Sequence, residues 1–114
     1  MTVGRLKSYA AQTGYVYHYY LDRQQRGELG REYIFMVSRD CQHLFPLLVL
    51  VRADALAAWA ERHGRLLSAP EAYAAAKLCL FRAFDEVKEL EKTAQVLAVT
   101  PGNVEALLAT VGID

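Results

Sequence analysis

Apolar and polar positions alternate in the first half of the chain and recur with a helical period in the second. From Tyr15 to Leu21, Tyr15, Tyr17, Tyr19 and Leu21 oppose Val16, His18 and Tyr20. This period of two, dense in aromatic and β-branched residues, predicts a strand. Arg31 to Ser38 repeats it, with Tyr33, Phe35 and Val37 against Ile34 and Met36. The polar run 22–30 between them, with Gly27 and Gly30, predicts a loop. A third strand, Leu44 to Val51, is apolar on both sides, with Phe45, Leu47, Val49 and Val51 opposite Leu44, Leu48 and Leu50. Its Pro46 has no amide to donate to a ladder, which suits an edge strand. A weaker pattern over 3–11 adds a short strand ahead of a turn at Gln12, Thr13 and Gly14. Consecutive strands with short connections predict an antiparallel meander over residues 3–51.

Beyond residue 51 the period changes. Asp54 is placed to cap a helix over 54–63 that carries Leu56, Trp59, Ala60 and His63 on one face, and Gly64 stops it. Ser68 and Glu71 form a capping box around Pro70. Tyr73, Ala76, Leu80, Ala83, Phe84, Val87 and Leu90 then share one face of a long helix over 69–92, beside a second apolar row of Ala74, Leu78 and Phe81. Residues 93–99 read as an extension of that helix or as an apolar connector. Thr100 as cap, Pro101 in the first turn, and Val99 against Val104 predict a last helix over 100–111 that presents Leu107, Leu108 and Val111. The expected fold is a single α+β domain, 1–114. It is a three- or four-stranded antiparallel β-meander followed by a short helix, a long helix packed on the sheet, and a C-terminal helix placed elsewhere.

With 114 residues, 54% of them hydrophobic, such a domain buries roughly two-thirds of the surface its unfolded chain exposes. Thirteen basic residues balance thirteen acidic ones, so no net field recruits nucleic acid or an anionic membrane. Cys41 and Cys79 form no spaced pair, which points to a reducing compartment. The opening residues lack a signal-peptide pattern, and the longest apolar run falls far short of the ~20 residues of a membrane span. A cytoplasmic protein is expected.

The chemistry-bearing motifs are few. No G-x-S-x-G, H-E-x-x-H or G-x-G-x-x-G is present, so no catalytic residue and no cofactor is assigned. Cys41 and His43 make one irregular pair, too little for a metal site. Asp85, Glu86, Glu89 and Glu91, interleaved with Lys88 and Lys92, read as the solvent side of the long helix. Two candidate surfaces remain. Tyr15, Tyr17, Tyr19 and His18, with Arg23, Arg26 and Arg31 in the following loop, offer rings and guanidinium forks to a small planar or anionic ligand or a single strand of nucleic acid. The run Gly14–Tyr20 departs from an RNA-recognition strand at Thr13, Val16 and His18, so nucleic acid is not expected. The other surface is an excess of apolar residues: Leu44, Leu48 and Leu50 on the third strand and Leu107, Leu108 and Val111 on the tail. One small domain has few elements to cover them, so a homodimer, or binding to another protein, is the leading expectation. In the competing arrangement the tail helix folds back over the second sheet face.

Overall fold

The computed structural model describes residues 6–93 and 96–114. In chain order the elements are β1 (Lys7–Ala10), β2 (Val16–Arg26), β3 (Gly30–Ser38), β4 (Phe45–Arg52), α1 (Ala53–His63), α2 (Ala69–Glu86), α3 (Leu90–Thr93), β5 (Val96–Val99) and α4 (Val104–Ala109). The strands form one sheet in the order β1-β2-β3-β4-β5, antiparallel through β4, with β5 parallel to β4. The antiparallel meander is therefore present, and a fifth, parallel strand makes the sheet mixed. The weak amino-terminal strand is β1, and residues 3–5 of that expectation lie outside the described residues.

β5 corrects two expectations. The stretch 93–99 is neither a helix extension nor a connector over Val96–Val99, and β4 is an interior strand there. β5 pairs only with Leu48–Val51, so Pro46 lies where β4 still has a free side, which satisfies its lack of an amide. The free side of β5 is closed at Ala98, whose carbonyl accepts from Asn103 Nδ2 (3.0 Å) and Cys79 Sγ (3.6 Å). Asn103, rather than Thr100, precedes the last helix, and its Oδ1 also accepts from the Thr100 amide at 2.8 Å.

The run 22–30 is mostly strand. β2 continues to Arg26 past a register skip between Leu21 and Arg23, and the chain turns only at Gly27–Leu29, where the Gly27 amide donates to Gly30 O at 2.8 Å. Its polarity reports exposure, since residues 22–26 of β2 are all exposed. Gly30 has φ of +152°, and a Cβ there would collide with Val51 O and the backbone of Arg52 and Ala53. The close approach lets Leu29 O accept the first amide of α1, from Ala53, at 2.8 Å.

Inward-pointing residues of the sheet, Tyr17, Tyr19, Tyr33, Phe35, Val37, Leu47, Val49 and Val51, are all buried. They pack against Trp59 of α1, Ala75, Ala76, Cys79, Leu80, Ala83 and Phe84 of α2, and Leu107 and Leu108 of α4. The alanines let α2 approach closely while Phe84 fills the space above β2. The capping box is present, with Ser68 Oγ accepting from the Glu71 amide and Glu71 accepting from the Ser68 amide at 2.9 Å. α1 begins one residue before Asp54, which is gripped by Arg52 (3.0 Å from Nε), and ends at Gly64 in the left-handed conformation. The long helix stops at Glu86, six residues short of the expected 92, because Val87 is extended (φ −110°, ψ 112°). The break turns Leu90, 1% exposed, back into the core.

Candidate functional site

The described helices stand over one face of the sheet. On the other, cross-strand neighbours form apolar rows: Tyr20, Met36 and Pro46; Ile34, Leu48 and Val96; Leu50 and Ala98. Tyr20, Ile34, Met36, Leu48, Leu50 and Ala98 are half-buried by one another, while Val96 is 56% exposed. The alternation explains why β4 is apolar on both sides, since one side meets the helices and the other joins this row. Polar residues border it. Glu32 and Gln25 hydrogen-bond at 2.7 Å beside Leu50, Arg23 lies beside Ile34, and His18 and Ser38 close the other end.

At that end the β3–β4 turn rises over the sheet and encloses a mostly apolar pocket of about 230 Å3, lined by Leu6, His18, Tyr20, Cys41, Gln42 and Leu44. Ser38, 1% exposed, organises the turn: its hydroxyl donates to Asp40 Oδ1 (3.1 Å) and accepts from the Cys41 amide (2.9 Å). Cys41 has φ of +62° and an exposed thiol.

The predicted ligand residues are not brought together. Tyr17 and Tyr19 lie in the core beneath α2, so stacking a ligand on them requires the helix to leave. Tyr15 is 43% exposed and carries the Arg39 guanidinium 4.4 Å above its ring. His18 is half-buried on the opposite face. The skip at Asp22 divides the arginines: Arg23 pairs with Ile34 on the open face, while Arg26 and Arg31 face each other on the helix side. Of the predicted interface residues, Leu48 and Leu50 belong to the open face and Leu44, 50% exposed, to its border. Leu107 and Leu108 are 2% and 0% exposed in this chain's own core, and Val111 is 53% exposed. The tail helix packs on α1 and α2, with Glu105 2.8 Å from His63, and does not cover the second sheet face.

A charged cluster that sequence reasoning missed surrounds a cavity of about 420 Å3 lined by Tyr15, Arg39, Asp40, His43 and Glu91. Arg39 bonds to Glu91 at 2.6 Å and to Lys88 O at 3.2 Å. His43 Nδ1 meets Asp40 Oδ2 at 2.7 Å, which holds the imidazole above its ordinary pKa and the carboxyl well below its own. The Tyr17 hydroxyl is buried nearby, and burial raises its pKa against the opposing effect of Arg39. These groups fasten the β3–β4 turn to α3. Glu91 and Asp85 thus do not merely face solvent, since Asp85 accepts from the Tyr9 hydroxyl (2.7 Å) and the Gln12 amide (3.0 Å). Arg39 and Glu91 are far apart in sequence and belong to no motif, so only the folding of α3 against the β3–β4 turn brings them together.

Among the described residues no group of three His, Cys, Asp or Glu is arranged to hold a metal, and no helix is long and apolar enough to cross a membrane. Comparison with protein-family models, curated proteins and solved structures finds no match.

Proposed function

We propose that this domain is a self-association module whose open sheet face packs against the same face of a second copy. The observation that supports the reading is the continuous apolar row from Tyr20 across Ile34 and Met36 to Leu48, Leu50 and Ala98, on the side of the sheet that carries no helix among the described residues. Tyr20, Ile34, Met36, Pro46, Leu48, Leu50, Val96 and Ala98, on four strands ~4.8 Å apart, span roughly 260 Å2 in plan. An apolar centre inside a polar rim is also how such interfaces are built. The chain carries no net charge, so two copies meet without overall repulsion. A two-fold axis through the face brings each row onto itself reversed and closes the assembly at two. The two cysteines left free favour a cytoplasmic setting for this dimer.

Light scattering at micromolar concentration tests the proposal. The expected mass is twice 12.8 kDa, falling to 12.8 kDa in Leu48→Asp with an unchanged circular dichroism spectrum. Val111→Asp, on an exposed residue away from the sheet, should remain dimeric. A native chain that stays at 12.8 kDa over the whole accessible range would refute self-association.

A further inference from the structure

The geometry points to a second, separate site: Arg26 and Arg31 form a receptor for a phosphate group carried on a small organic molecule. The two residues are direct cross-strand partners at the end of the β2–β3 hairpin. Residues so paired place their Cβ atoms about 4.5–5.5 Å apart, and like charges in this relation destabilise a sheet. Here the repulsion stands without compensation. Arg39, Arg52 and Arg65 each hold a carboxylate, whereas the side chains of Arg26 and Arg31 make no ion pair or hydrogen bond among the described residues. The acids nearby in sequence or space are committed or turned away. Glu32 points to the opposite face and accepts from Gln25, Glu71 is held by Arg65 through bonds of 2.9 and 3.0 Å, and Glu28 at the hairpin tip pairs with neither arginine.

The two arginines line a cavity of about 280 Å3 together with Gln24, Gln25, Tyr33 and Ala69. Two forks present up to ten N–H donors, and bidentate geometry of this kind matches the oxygens of a phosphate. The charge selects among anions. A phosphomonoester, at about −1.5 to −2 near neutral pH, neutralises the pair, whereas a monocarboxylate leaves one cation unmatched. The cavity exceeds a phosphate in volume, and Tyr33 and Ala69 provide an apolar wall for the attached group. Gln24, opposite Tyr33 in the ladder, offers an amide at the border between them. Arg23 takes no part, because the skip at Asp22 puts it across the sheet.

The site lies on the helix side, so its occupancy and the dimerisation proposed above are separable. Inorganic phosphate, phenyl phosphate and succinate are titrated into the intact protein at constant ionic strength, with binding followed by thermal unfolding and by phosphorus NMR of the two phosphates. Saturable stabilisation by both phosphates is expected, since a ligand that binds only the folded chain raises its melting temperature. Arg26→Gln and Arg31→Gln should each weaken the apparent affinity about ten-fold, as loss of a charge-assisted contact does, while Arg23→Gln leaves it unchanged. Without added anion, Arg31→Gln should melt no lower than the native chain, because it removes a like-charge pair. Absence of a saturable response, or an equal loss in Arg23→Gln, would overturn the site. A stronger response to succinate than to either phosphate would overturn the assignment of phosphate.

Discussion

The rings of Tyr17 and Phe84 lie parallel, 4.2 Å apart at their centres with 5° between planes, and so fasten the start of β2 to the last turns of α2. Phe84 also touches the rings of Tyr9, Tyr19 and Phe81. A strand that looks in sequence like a row of available tyrosines is thereby consumed as packing surface.

Phe84→Ala should consequently remove the centre of this aromatic group. Truncating a fully buried phenylalanine costs about 3–5 kcal/mol, a large part of the ~5–15 kcal/mol that holds a typical domain. Urea unfolding measures it, and a midpoint close to that of the native chain would place the core elsewhere.

Gly30→Ala tests the corner where the β2–β3 hairpin meets β4 and α1. The positive φ alone costs about 1–3 kcal/mol for a residue with a Cβ, and the collision with Val51 O and the backbone of Arg52 and Ala53 adds to it. A clear fall in melting temperature is expected. Gly64→Ala, with φ of +73° but open space around it, should cost less.

The Asp40–His43 pair makes stability depend on pH with two opposite signs. His43 is raised above 6.5 in the fold, so its contribution is complete below that value and disappears as pH rises through the folded pKa. Asp40 is depressed below 3.8, so its contribution is present above that value and is lost as pH falls through the folded pKa. The pair therefore contributes most between these two ordinary values, 3.8 and 6.5. His43→Gln should lower the melting temperature more at about pH 5.5 than at about pH 8.5, a difference that thermal scans in matched buffers would reveal.

The two thiols should react differently. Burial pushes Cys79 up to about 11, and its sulfur donates to Ala98 O, whereas Cys41 is exposed. A thiol reagent near neutral pH should titrate Cys41 alone in the folded protein and both residues in denaturant. Rapid labelling of Cys79 without denaturant would show that β5 detaches from α2.

The meander was legible because alternation survives wherever one strand face is buried, as with Tyr33, Phe35 and Val37 against Ile34 and Met36. The start of α2 was legible because a capping box is local chemistry, complete in Ser68 and Glu71. What stayed hidden depends on contacts distant in sequence. Four residues, Val96–Val99, carry too short a pattern to declare a strand, and β4 supplies the ladder that makes them one. Nothing at Val87 resembles a helix stop, and burial of Leu90 accounts for the turn. The division of Arg23 from Arg26 and Arg31 follows from one skipped position at Asp22, which reverses the facing of every residue after it. Arg39 and Glu91 meet across the fold and left no trace in spacing.

The parallel seating of β5 also sets an order of events when the protein is made. The antiparallel strands adjoin their neighbours in the sequence, but the second neighbour of β4 is synthesised only after both major helices. At ~5–20 residues per second this interval lasts on the order of seconds. Throughout it an apolar strand presents unpaired amides and carbonyls to other nascent chains, a template for mispairing. Synthesis halted between α2 and β5 thus releases a sheet with a raw edge, and the fate of the newborn chain turns on whether residues 96–99 arrive in time.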